Sequence, residues 1–104
     1  MNEIDTPIAP RFSLGPSIVA TPAAIDLLAR HQLSAAHFLE RHAACDWGEI
    51  CPEDRRANDR ALKDGSRLFS VYHVGQEKLW IITEAVSSTS AERAGTCLLT
   101  PGDY

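Results

Sequence analysis

Apolar positions recur at helical spacing in the front half of the chain and at alternate positions in the back half, which predicts helices followed by strands. Thr21-Pro22 is a helix start, because threonine caps an orphan N–H and proline suits the first helical position. Ala24, Ile25, Leu27 and Leu28 then share a face, and Arg30 and His31 close the last turn, predicting a helix over 22–31. Leu33-Ser34 restarts a helix over 35–43, with Phe38, Leu39 and Ala43 inward and Glu40 and Arg41 toward water. Asp46-Trp47-Gly48 interrupts the pattern, and Cys51-Pro52-Glu53-Asp54 opens a third helix that Gly65 ends as a left-handed cap. This third helix is polar, setting Arg55, Arg56, Arg60 and Lys63 against an inner stripe of Ala57, Ala61 and Leu62.

From Arg67 the period is two: Leu68, Ser70, Tyr72 and Val74 alternate with Phe69, Val71 and His73, and after Gly75-Gln76-Glu77 comes the apolar run Leu79 to Thr83. These segments predict a β-hairpin. A third strand follows over 96–100, ended by Pro101-Gly102, and the polar run Ser87 to Gly95 between them reads as a mobile loop. Residues 17–20 read as a short strand, and residues 1–16, with Pro7, Pro10 and Pro16, read as an extended arm. The expected architecture is one α+β domain over 17–104, with N-terminal helices, two or three of them, packed on a C-terminal three-stranded antiparallel sheet.

Composition narrows the function classes. A chain of 104 residues, 44% hydrophobic and 23% charged, is an ordinary single domain rather than a disordered or fibrous one. Its net charge of −4 offers phosphate backbones no global attraction, so direct nucleic-acid binding is not expected. The opening residues carry acids and no apolar run, and no window approaches membrane-spanning length, so a cytoplasmic chain without membrane attachment is expected. Three cysteines, an odd number, suit a reducing compartment.

Candidate chemistry is sparse. His42, Cys45 and Cys51 lie close enough to gather around zinc, with His31 or His37 as a fourth ligand, but the spacing lacks a second tight ligand pair, and neither a metal nor another cofactor is expected. His31, His37 or His42 as general base, Arg67 or Arg60 as an electropositive group, and Thr83 or Ser70 as a hydroxyl are the ingredients of metal-free RNA cleavage. Trp47 in its loop is either an internal anchor or a contact for a partner. Glu49, Glu53, Asp54, Asp59 and Asp64 surround the third helix, Glu84 ends a strand in solvent, and Phe69, Val71, Trp80 and Ile82 give the hairpin an outer face apolar enough for a homodimer.

The strings Asp46-Trp47-Gly48-Glu49, Ala57-Asn58-Asp59-Arg60-Ala61-Leu62, Lys78-Leu79-Trp80-Ile81-Ile82-Thr83-Glu84-Ala85 and Leu98-Leu99-Thr100-Pro101-Gly102-Asp103-Tyr104, with Gly65, Arg67, Ser70 and Tyr72, carry a resemblance over 17–104. The chain resembles a family of small "plasmid-related" proteins encoded on plasmids and integrative conjugative elements of proteobacteria. That resemblance implies a genomic setting and no particular activity. In that family an Asp-Arg-Ser segment leads through threonines into the last strand. Here Val86 to Ser90 and Ala91 to Gly95 replace it, which implies that a phosphate-handling site built on that arginine is missing. At the level of fold alone, helical histidines ahead of an antiparallel sheet resemble barnase, EndoU and colicin-type ribonucleases.

Two functions follow as expectations. The first is a mobile-element accessory protein that binds and inhibits a host protein or ribonucleoprotein complex, such as a restriction or CRISPR component, through Trp47 and the acidic residues Glu49, Glu53, Asp54, Asp59 and Asp64. The second is a small metal-independent ribonuclease or toxin using His31 or His42 with Arg67 and Thr83.

Overall fold

The structure, a computed structural model, describes residues 10–87, 89 and 92–104. The front half of the arm, and part of the run read as a mobile loop, therefore lie outside the described residues. Elements follow in the order β1 (Ser17–Ala20), α1 (Pro22–Arg30), α2 (Ala35–Ala43), α3 (Pro52–Asp64), β2 (Leu68–Val74), β3 (Glu77–Thr83) and β4 (Gly95–Leu99), closed by a 3-10 turn at Pro101–Asp103. The helix starts are those that local chemistry dictates. Thr21 and Ser34 accept the N–H groups of Ala24 and His37 through their hydroxyls, and Gly65 ends α3 at φ 81°, where a side chain would be strained.

The fold is α+β, but its sheet has four strands and is mixed, in the order β1-β4-β3-β2. This corrects the three-stranded antiparallel expectation. The stretch 17–20 pairs parallel to β4, with Ser17 opposite Gly95 and Ala20 opposite Leu98, while β2, β3 and β4 form the expected antiparallel meander. The described part of the arm also belongs to the packing. Arg11 N–H donates to Ala43 O at 2.8 Å, and the Phe12 ring stacks on Trp47 at 5.9 Å.

Alternation assigns the two sheet faces. Leu68, Ser70, Tyr72, Val74, Leu79, Ile81, Thr83, Thr96 and Leu98 face inward, where Ala24, Leu27, Leu28 and Phe38 from α1 and α2 complete the main core. A second cluster joins Trp47, Ala61 and Leu68, with Phe12 and Leu62 against it. Phe69, Val71, Trp80, Ile82, Cys97 and Leu99 face outward, under the C-terminal turn.

The two sheet edges are finished differently. At β2, the buried Asn58 amide donates to Phe69 O (2.7 Å) and accepts Phe69 N–H (3.1 Å), while Val71 exchanges backbone bonds with Trp47 O and Glu49 N–H. Gly48 permits this approach, since a Cβ there would run into the Val71 carbonyl. At β1, Ser17, Ile18 and Val19 are exposed. No helix among the described residues is long and apolar enough to cross a membrane.

Candidate functional site

Helical periodicity brings His42 to the inner face of α2, one turn beyond Phe38, and Ser70 and Thr83 meet it from β2 and β3. The three form one end of a continuous polar chain. His42 Nδ1 lies 2.5 Å from Ser70 Oγ, His42 Nε2 lies 2.9 Å from Thr83 Oγ1, and Thr83 Oγ1 lies 2.7 Å from Thr96 Oγ1. Thr96 in turn donates to Leu14 O at 2.7 Å.

A carbonyl can only accept, so this last bond fixes the direction of the others as far as His42 Nε2. The Thr96 proton is spent on Leu14 O, so Thr83 donates to Thr96. The Thr83 proton is thereby spent as well, so His42 Nε2–H donates to Thr83, and in the neutral ring Nδ1 accepts from Ser70. His42 is a neutral imidazole with a defined tautomer. Burial, reinforced by the nearby Arg93 cation, pushes its pKa down to about 3. Phe12 and Trp47 close over the ring at centroid distances of 5.2 and 5.6 Å. Residues His42, Ser70 and Thr83 are each 0% exposed, so this group holds the helical layer to the sheet and presents no proton acceptor to a substrate.

The other predicted residues do not join it. His31 lies against Gly75 at the hairpin turn, about 20 Å along the strands from Thr83 at ~3.4 Å per residue. Arg67 is on the outer face, its guanidinium 3.4 Å from the Tyr104 hydroxyl. His37 is exposed on α2 and Arg60 exposed on α3. The zinc alternative of His42, Cys45 and Cys51 is likewise not assembled. Both His42 nitrogens are engaged, Cys51 is exposed at the start of α3, and no metal-holding group of three such side chains occurs among the described residues. Trp47 is 3% exposed, so it is the internal anchor, with no surface left for a partner.

Arg93 is a participant that sequence reasoning missed, because it sits in a polar run. It is 7% exposed and donates to Ser66 O (2.7 Å), Glu84 O (3.0 Å) and Ala61 O (3.2 Å), the last a carbonyl at the negative end of α3 that also accepts the Gly65 N–H. An arginine and a threonine, Arg93 and Thr96, thus stand near the histidine. Both are turned to structural carbonyls.

The outer face is built differently. Phe69 and Trp80 meet edge to face at 5.1 Å, and Trp80 meets Tyr104 at 5.6 Å. Together with Ile82, Ala57, Asp54 and Arg67 they line an open hollow of about 330 Å³. Phe69 and Trp80 are only half-buried, and Tyr104 is 72% exposed. Asp54 is the one predicted acidic residue that reaches this hollow. Glu49, Glu53, Asp59 and Asp64 are exposed but spread apart: at about 100° per residue Glu53 and Asp59 point about 120° apart around α3, and Asp64 lies three turns beyond Glu53. The Ser66 hydroxyl, and after it the Ser66 N–H that Asp64 accepts, hold the Asp64 pKa below the ordinary carboxylate value.

The arrangement defines a small α+β protein with its histidine chemistry sealed inside and an aromatic hollow outside. Set against protein-family models, curated proteins and solved structures, the chain finds no match in any of the three.

Proposed function

We propose that this chain is a binding protein, an accessory factor of a mobile element that occupies and inhibits a host macromolecule, with a restriction or CRISPR defence component as the target class. The observation that carries the reading is the outer hollow, where Phe69, Trp80 and Tyr104 are held partly exposed beside the acidic first turn of α3. Aromatic side chains around an open pocket are the groups from which interface hot spots are made. Carboxylates at Glu49, Glu53, Asp54, Asp59 and Asp64 on a chain of net charge −4 suit a partner surface that otherwise meets phosphates. The likeness to plasmid-related proteins supplies the mobile-element setting.

The test is association of the purified chain with a nucleic-acid-binding restriction or CRISPR complex at low ionic strength. The expected result is binding that weakens as salt rises, is displaced by the complex's own nucleic acid, and falls by about tenfold or more with Trp80→Ala. Binding indifferent to Trp80→Ala removes the hollow as the anchor, and no binding at low salt removes the reading.

The second reading, a metal-independent ribonuclease, has one observation in its favour: His42 does meet Thr83. It requires a histidine that RNA can reach. RNA cleavage by the purified protein, abolished by His42→Ala while the fold persists, would put this reading first.

A further inference from the structure

We infer that the free edge of β1 is a self-association surface, on which a second copy of this chain adds its own β1 across a twofold axis to continue the sheet. The inference is independent of the outer hollow.

The strand's polarity follows from one bond. Thr21 N–H donates to Leu98 O at 2.9 Å, so the odd positions of this strand turn their backbone groups toward β4. By alternation the N–H and C=O of Ile18 and Ala20 point the other way, and among the described residues neither has a partner on that side. A row of alternating donors and acceptors is complementary to another extended backbone, and an unguarded strand edge is a template for one. The opposite edge shows what guarding looks like in this molecule, where Asn58 and the Trp47–Glu49 segment fill the corresponding positions of β2.

Charge selects a second copy as the occupant. Two chains of net charge −4 repel, and they meet most easily where neither carries charge. The fourteen residues from Phe12 to Ile25 contain no Asp, Glu, Lys, Arg or His and are the longest uncharged run of the sequence, with β1 in their midst. No edge-guarding lysine stands in the strand. Ile18 and Val19 are 49% and 54% exposed, on opposite faces of the sheet.

An antiparallel pairing centred on Val19 sets Ile18 opposite Ala20 of the second copy and Ala20 opposite its Ile18. Each chain thereby uses its outward backbone groups in about four hydrogen bonds. The two Val19 side chains then meet on the outer face at the closely spaced, non-hydrogen-bonded position. Such an interface is isologous and closes at two copies. Pro16 and the helix start at Pro22 confine it to the length of β1, which makes the dimer weak and concentration-dependent.

Sedimentation or light scattering over a dilution series up to millimolar protein tests this. The expected result is a mass that rises from 11.4 kDa toward twice that value, with the Ile18 and Ala20 amides gaining protection from hydrogen exchange as it does. Val19→Lys, at an exposed position that the fold does not need, should keep the chain at 11.4 kDa at the same concentrations with an unchanged melting curve. Two results would overturn the inference: a monomer at every concentration, and a doubling that Val19→Lys leaves intact. Loss of the latter doubling with Trp80→Ala would place the contact on the outer hairpin face instead.

Discussion

The inner and outer faces of the same strands use side chains in opposite ways. On the inner face every polar atom is spent: Ser70, His42, Thr83 and Thr96 hand hydrogen bonds along to Leu14 O, and no buried side-chain nitrogen or oxygen among the described residues lacks a partner. On the outer face, one residue along each strand, Phe69 and Trp80 keep part of their surface in the open. Residue type alone suggests the reverse, a catalytic histidine and a structural tryptophan. A side chain is available for function only when folding has left it something to bind, and here the aromatic residues meet that condition and the imidazole does not.

The most severe way to break this contrast is to delete a side chain from each face. His42→Ala leaves a cavity and strands the Ser70 and Thr83 hydroxyls without their buried partner, and it should lower unfolding free energy by about 3–5 kcal/mol. Trp80→Ala, at a half-exposed position, should lower it by roughly 1–2 kcal/mol, because less area leaves a protein environment. Denaturant midpoints of the two variants decide the matter. A greater loss for Trp80→Ala would mean that the outer face, not the histidine chain, holds the sheet together.

Much of the fold is legible in the sequence where the signal is local. The bounds of α2 and α3 follow from Ser34, Pro52 and Gly65, each of which acts within one turn of itself. The pairing of β1 with β4 is not local. It joins residues nearly eighty positions apart, and a four-residue run carries too little pattern to announce it. The site lies between these cases. His42, Ser70 and Thr83 all stand out as chemical types, and the spacing Phe38, Leu39, His42, Ala43 already places the histidine on the inward stripe of α2. The same spacing puts Asn58 in line with Ala61 and Leu62. A polar residue inside an apolar stripe signals a buried, satisfied group, whereas Arg93, set in a polar run, gives no such signal.

Asn58 provides the next test, because among the described residues it is the one side chain that closes the β2 edge. Asn58→Ala removes both partners of the Phe69 backbone and should destabilise by about 2 kcal/mol, with faster hydrogen exchange at the Phe69 amide and little change at Ile81. Equal exchange at both amides would show that the edge was not held by the amide.

Acid should erode the inner face next. The unfolded chain protonates His42 near the ordinary 6.5, whereas the folded chain does so only near about 3. Between these values the unfolded state binds the extra proton. Stability therefore falls as pH falls, by about 2 kcal/mol between pH 7 and pH 5 from linkage. Carboxylates held low by their partners, such as Asp46 beside Arg41 and Asp103 beside Thr21, lose their contributions only at lower pH, beneath the ordinary carboxylate range. Ring nitrogen shifts at pH 5 should report a neutral His42 protonated on Nε2. The opposite tautomer would contradict the bond directions that Leu14 O imposes, and a protonated ring would contradict the low pKa that burial gives it.

The smallest expected effect concerns how the helices are delivered to the inner face. Both α1 and α2 end with the chain turning back through a residue of positive φ, Gln32 at 55° and Cys45 at 67°. The N–H groups that follow close six-residue turns, from Leu33 to Leu28 O and from Asp46 to Arg41 O. Glycine is the usual occupant of that position, since a Cβ is strained there. Gln32 is exposed and carries no packing, so Gln32→Gly should stabilise the protein by roughly 0.5–1 kcal/mol, read as a raised denaturation midpoint. Cys45 packs against the Trp47 cluster behind His42, so Cys45→Gly relieves the same strain while losing that contact and should gain less. A larger gain at Cys45 than at Gln32 would mean that the thiol contributes nothing to the wall behind the histidine, and that Phe12 and Trp47 alone keep it dry.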